Sequence, residues 1–132
     1  MSTEVDGINA LTEKIIGCAF KVGTALGYGF MEKVYENALA HELRKAGLKV
    51  EQQFPIKVWY DGVLVGEYVA DLVVEGVVLV ELKASKGLDP AHGAQCINYL
   101  VATRMLVCLL INCGPRVEVK RFAGPGLKNK LG

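Results

Sequence analysis

The sequence predicts a mixed α/β domain: a mixed β-sheet flanked by helices, in the order helix, helix, three strands, helix, two strands. Three observations predict it. Ile8, Leu11, Ile15, Cys18, Ala19, Val22 and Leu26 recur at helical spacing. From 63 to 84 the chain turns apolar and β-branched, broken by Glu75-Gly76 as a hairpin is. Asp89-Pro90 then opens a helix between two strand-like runs, and a crossover helix permits those strands to pair in parallel.

The first helix covers roughly 8–26 and is broken by Gly27-Tyr28-Gly29. A second runs from about Met31 to Ala46, with Tyr35, Ala38, Leu39 and Leu43 as its apolar stripe and Gly47 as its C-terminal cap. An extended segment, 49–60, contains Pro55 and therefore reads as an edge strand or a bulge. Asp61-Gly62 is a hairpin turn. Strands follow at about 63–74 and 77–84. The third helix spans about 90–103, with Asp89 as N-cap and Pro90 at its first position. A strand at about 105–112, the turn Gly114-Pro115 and a strand at 117–122 complete the sheet. The expected organisation is one domain, 1–123, and a flexible basic tail, 124–132.

Apolar residues make up 52% of the 132-residue chain, and the mean hydropathy is +0.30. Both are high for a monomer of this size. No apolar run reaches the ~18 residues of a membrane span. The opening Met-Ser-Thr-Glu-Val-Asp has no signal-peptide pattern, so a cytoplasmic protein is expected. The surplus hydrophobicity then goes into a subunit interface, expected in a symmetric homo-oligomer along strand 117–122 and helix 8–26. Cysteines 18, 96, 108 and 113 have no metal or redox spacing and read as small buried apolar residues. A formal charge of +1 denies the chain the broad basic footprint of a non-specific nucleic-acid binder. A nuclease can work with that charge if its basic residues are local or shared between subunits.

The chemistry concentrates in Asp71-Leu-Val-Val-Glu-Gly-Val-Val-Leu-Val-Glu81, followed by Leu82-Lys83. Charges set in so apolar a run are costly to bury unless compensated, and a divalent metal with a phosphate would compensate them. Glu81 and Lys83 share a strand face. Asp71 joins them or not according to the turn. A two-residue turn at Glu75-Gly76 pairs 74 with 77 and puts Asp71 on the opposite face. A three-residue turn, 74–76, pairs 73 with 77 and sets Asp71 on the same face, diagonal to Glu81. Gly76 suits the left-handed position of the three-residue turn, which favours it.

The pattern Asp71…Glu81-x-Lys83 resembles the PD-(D/E)XK nuclease superfamily. Gly29-Phe-Met-Glu32-Lys-Val-Tyr35 is similar to the signature of the GxxExxY proteins, usually placed in that superfamily. His92-Gly-Ala-Gln95-Cys-Ile-Asn-Tyr99-Leu100 and Leu109-Leu-Ile-Asn112 resemble later segments of the same family. The resemblance runs from about residue 8 to 122 and implies a restriction-endonuclease-like fold of core order αβββαβ. It also implies a Mg²⁺-dependent nuclease, with Mn²⁺ as a substitute, acting on nucleic acid, DNA rather than RNA. Asp71 and Glu81 would hold the metal, which polarises a phosphate and acidifies water. Lys83 would steady the developing charge. Glu32 would complete the metal shell directly or through water, and Gln95 would orient phosphate or water. Tyr35, one helical turn after Glu32, would position that carboxylate or stack on a base, with Tyr99 and Lys83 also meeting substrate.

Each feature has a plainer counterpart. Asp71 can cap a strand end, and Glu81 with Lys83 can form an ion pair without metal. Glu32 can serve its helix dipole. Gln95 and Tyr99, four apart, can be interface polar groups. His92 can be a helix-start residue. The chain also departs from the family pattern at Tyr28, at Val69-Ala70 before the Asp, and at Val101, where relatives tend to carry Pro and basic residues. Apolar residues at outward positions favour self-association. The competing reading is therefore a self-assembling structural or nucleic-acid-binding protein that keeps the nuclease fold without relying on cleavage.

Overall fold

The computed structural model describes residues 3–131. Two helices, α1 (Thr3–Leu26) and α2 (Glu32–Lys45), precede strands β1 (Val50–Tyr60), β2 (Val63–Val74) and β3 (Val78–Lys83). Helix α3 (Pro90–Thr103) crosses to β4 (Val107–Cys113), followed by β5 (Val117–Ala123) and α4 (Pro125–Leu131). The five strands form one sheet in chain order, antiparallel except for the β3–β4 pair that α3 connects. This is the restriction-endonuclease-like arrangement expected. No helix among the described residues is long and apolar enough to cross a membrane.

The boundaries follow local chemistry. Gly47, at φ +86°, lets the chain leave α2, with its N–H on Arg44 O and that of Leu48 on Leu43 O. Asp61 and Gly62 both adopt positive φ in the hairpin turn between β1 and β2. Asp89 caps α3 by accepting from Ala91 N–H at 2.8 Å, and its own N–H donates to His92 Nδ1 at 3.1 Å. His92 is thus a helix-start residue. Where a flexible tail is expected, Pro125–Leu131 is helical and Leu127 is buried under α1 and the sheet, an apolar anchor that the surrounding Gly and Lys obscure. Gly132 lies outside the described residues.

Two apolar layers enclose the sheet. On one face α1 and α2 pack Ile15, Val22, Tyr35 and Leu39 against Leu72, Val80, Leu82 and Ile111. On the other, α3 packs Cys96 and Leu100 against Val73, Leu79, Cys108 and Leu110. Every residue of β4 is buried, as a central strand covered on both faces requires. Cys96, Cys108 and Cys113 are buried and free, and Cys18 is half-buried and free.

The β1–β2 ribbon changes face along its length. Near the sheet Val50, Leu72 and Val74 face α1 and α2. Farther out Phe54, Ile56 and Ala70, also even-numbered, face α3. The change falls where Gln53 has φ +54° and where Gln53 and Asp71 drop out of the ladder, well before a register shift between Val58 and Trp59. Only Leu72–Val74 of β2 pairs with β3, so the outer ribbon leaves the sheet as an arm.

Candidate active site

The β2–β3 turn sets the site's register. Glu75 and Gly76 have φ +54° and +69°, and Val77 N–H closes the turn on Val74 O at 3.2 Å. This is the two-residue mirror-image turn. Val77 is then one residue extra: its carbonyl accepts from Leu106 N–H at 3.1 Å, and pairing resumes at Val74–Val78. The expected three-residue loop at 74–76 is therefore displaced by one residue. Continuing the register from Leu72–Val80 puts Asp71 directly across from Glu81, on the same face as expected but not diagonal to it.

The regular ladder stops at this pair. Asp71 N–H donates to Glu81 Oε1 at 3.0 Å, and Leu82 N–H donates to Asp71 Oδ2 at 2.7 Å. Each carboxylate thus reaches the main chain of the opposite strand. Glu81 is only 4% exposed. Burial, then the charge of Asp71, pushes its carboxyl up to about 8. Burial likewise raises Asp71, helped by Glu36 and Glu32, against the lowering effects of the Leu82 amide and Lys83. The Lys83 ammonium lowers both groups, so its charge acts on the pair.

Two carboxylates that resist ionisation together suit a hard cation with oxygen ligands. Mg²⁺ needs only one or two carboxylates when waters and a phosphate complete its shell. Among the described residues no three His, Cys, Asp or Glu side chains converge as a preformed metal cage. Glu32, at the exposed first turn of α2, acts on Asp71 and Glu81 through its charge but does not make such a group with them.

From the α3 side, Gln95 Nε2 donates to Tyr99 Oη at 3.0 Å. The Tyr99 phenol is pushed up to about 12 by burial and then by Glu81 and Asp71, which places it within their field. Tyr99 packs against Tyr68 of the arm, ring centroids 5.7 Å apart. Both line a groove of about 850 Å³ between the arm and α3, together with Trp59, Gln95 and Asn98.

Tyr35 has a different role from the one expected. It is fully buried, donates to Gly27 O at 2.6 Å and accepts from Phe30 N–H at 3.3 Å. It pins the α1–α2 connection and cannot reach a substrate, because the stripe that carries it turns into the core.

Two buried polar residues had no role assigned from sequence. Glu36, 3% exposed, accepts from Lys33 Nζ, Gln52 Nε2 and Gln53 Nε2. Its signal was a carboxylate on the inward 36-39-40-43 face of α2. Asn112, fully buried, accepts from Ser85 N–H at 3.0 Å and donates to Ser85 O at 3.0 Å, holding the loop that leaves Lys83. Its signal was a lone amide closing an apolar strand.

Comparison with known proteins bears on the fold and the family. The crystal structure of SSO0001 is similar in fold, with a TM-score of 0.59 and 16% identity over 71% of this chain. This chain spans 50% of that protein's length. No curated protein matches the sequence. The model of the PD-(D/E)XK nuclease superfamily, whose members generally use divalent metals, matches residues 9–122. With Asp71 and Glu81 paired across the hairpin and Lys83 beside them, the chain belongs to the PD-(D/E)XK nuclease superfamily.

Proposed function

We propose that this protein is a Mg²⁺-dependent nuclease of the GxxExxY type that hydrolyses phosphodiester bonds, in DNA rather than RNA. The observation that carries the reading is the Asp71–Glu81 pair: two facing carboxyls, Glu81 buried and Asp71 half-buried, each raised by burial and by neighbouring carboxylates, at the mouth of an open ribbon. Asp71 and Glu81 would hold the cation, with Mn²⁺ serving in place of Mg²⁺, and Glu32 would complete its shell directly or through water. When bound, Mg²⁺ polarises the phosphate and lowers the pKa of water.

The chain's own groups do the rest. Lys83 offsets negative charge as it develops on the phosphate. Gln95, with its amide N–H on Tyr99, keeps a carbonyl oxygen to accept from the attacking water. Tyr99 accepts from Gln95 and stays protonated, so its own O–H is left to donate toward phosphate. The groove along α3 and the arm leads substrate to these groups, and its aromatic walls suit stacked bases. The active species is a homo-oligomer acting in the cytoplasm, which pools basic residues that one chain of net charge +1 lacks.

The test is cleavage of single- and double-stranded DNA and of RNA by purified protein with Mg²⁺ or Mn²⁺. EDTA should stop it, and Asp71→Asn or Lys83→Ala should lose ~10²-fold or more. Cleavage that survives Asp71→Asn unchanged would point to a contaminant. It would favour the second reading, a self-assembling protein that keeps the fold without cleavage. That reading draws on the exposed apolar arm, with Trp59, Tyr60, Val63 and Val65 open to solvent.

A further inference from the structure

We infer that Glu36 and Gln53 are positioning residues, whose bond turns the β1–β2 ribbon over at Asp71 and so delivers the Asp71 carboxylate to β3. The catalytic meaning of this inference rests on the proposed metal-dependent cleavage; its structural content does not. Gln53 is the register partner Asp71 would have had on β1, and both are missing from the ladder. Gln53 has φ +54°, a left-handed backbone that a residue with a Cβ adopts only under compulsion. The inward face of the ribbon switches from α1 and α2 to α3 at this point. A regular strand keeps one parity throughout. One left-handed residue opposite Asp71 breaks it.

The compulsion comes from α2. The buried Glu36 carboxylate accepts from Gln53 Nε2 at 2.7 Å and Gln52 Nε2 at 2.7 Å, and Lys33 Nζ adds a third contact at 2.9 Å. Gln52 is gripped further by Asn37 Oδ1 and by Arg44 Nη1, so two successive β1 side chains are tied to one helix. With all three contacts made inside the protein, Glu36 is committed to holding β1 and is not a spare metal ligand. What it gains for the site is downstream. Where the ribbon turns over, β2 parts from β3, and the Asp71 carboxylate and amide bond to Leu82 and Glu81 in place of a regular pairing.

The variants are Glu36→Gln, Gln53→Gly and the exchange Glu36→Gln with Gln53→Glu, which restores one amide–carboxylate bond with its ends reversed. Gln53→Gly accepts the left-handed backbone without strain and removes only the side-chain bond. The first readout is amide hydrogen exchange in metal-free protein, comparing Asp71 and Leu82 with Val73 and Leu79. Glu36→Gln and Gln53→Gly should speed exchange at Asp71 and Leu82 by ~10-fold or more, leave Val73 and Leu79 near wild type, and be reversed in part by the exchange variant.

The second readout is Mn²⁺ affinity by titration, which should weaken ~10- to 100-fold, as when a supporting group behind a metal ligand is lost. Uniform acceleration at all four amides, or none, with unchanged Mn²⁺ affinity overturns the inference and leaves the nuclease reading standing. Wild-type protein that binds no Mn²⁺ overturns the nuclease reading, while the amide pattern still decides whether Glu36 and Gln53 hold Asp71.

Discussion

Asp71 and Glu81 face one another across β2 and β3, and each carboxylate bonds to main chain on the other's strand. In an ordinary hairpin the main chain of Glu81, like that of Val77, faces β4, and Leu82 N–H bonds to the main chain of β2. Here the carboxylate of Asp71 takes the Leu82 N–H and that of Glu81 takes the Asp71 N–H, which leaves two acidic groups between parted strands and within each other's field.

That relationship fixes a pH dependence. The Glu81 carboxyl is raised from 4.5 to about 8. A group raised on folding stabilises the fold fully below its unfolded value and loses that contribution as pH climbs through the folded value. Metal-free protein should therefore lose stability between about pH 4.5 and 8. Glu81→Gln, which cannot ionise, should flatten the fall and melt higher than wild type at pH 9. Mn²⁺ binding must displace the proton and should tighten by up to ~10-fold per pH unit toward 8. Thermal melts and titrations across this range check both. Identical pH slopes for wild type and Glu81→Gln would refute the assignment.

Asn112 makes a second prediction. It is fully buried and exchanges two bonds with the Ser85 main chain, just beyond Lys83. Removing it leaves the part-buried N–H and C=O of Ser85 without these partners, at up to ~1 kcal/mol each. Asn112→Ala should lower the melting temperature and also weaken the turnover that depends on Lys83. At Gly114 an added Cβ would lie 2.1 Å from Ser85 O, so Gly114→Ala should do the same through the same loop. Full turnover by folded Asn112→Ala would show that the loop does not position Lys83.

Much of this was legible in the chain. Helical periodicity, Asp61-Gly62 and Asp89-Pro90 carry their own geometry, so the elements as far as β5 and their order could be read, while α4 could not. Asp71, Glu81 and Lys83 were legible because charge in an apolar hairpin has few reasons to be there. The rest depended on facts that spacing does not carry. Val77 gives its carbonyl to Leu106, a contact 29 residues away in sequence, and that moved the register by one residue. Gln53 is left-handed because of Glu36, and nothing in Glu51-Gln-Gln-Phe54 marks it. The direction of Tyr35 was set by the α1–α2 packing, which outweighed its spacing from Glu32.

Tyr35→Phe tests that last point. The hydroxyl bonds to Gly27 O and Phe30 N–H in the connection before α2. Its loss should cost ~1–2 kcal/mol of stability. Turnover per folded molecule should stay within about twofold of wild type, because the ring meets no substrate. Denaturation and steady-state kinetics on the same preparation separate the two effects. A large fall in turnover at unchanged stability would restore the substrate-contact role.

Assembly is the remaining expectation: β5 ends the sheet as expected, and the structure adds a second apolar surface. Helix α1 shows one large exposed apolar residue among the described residues, Phe20, and Val117 and Val119 of β5 pack against the core. The other large exposed apolar residues lie on the arm, at Trp59, Tyr60, Val63, Leu64, Val65, Tyr68 and Val69, on α3 at Ile97 and Val101, and around the start of α2 at Tyr28, Phe30, Met31 and Val34. Val63 and Leu64 are consecutive ladder residues, so they point to opposite faces of the ribbon. A ribbon bare on both faces is not covered by one helix of its own chain. A second copy clasped by the arm would cover both and shield the β1 edge. The expected species is a symmetric dimer or a multiple of it, with more than ~1,000 Å² buried in total. Val65→Lys with Val101→Lys should drive it to single subunits without unfolding it, since both side chains are exposed. Light scattering after size exclusion reads the result. A one-subunit mass for wild type across micromolar concentrations would sink the dimer and leave the arm to contact substrate alone.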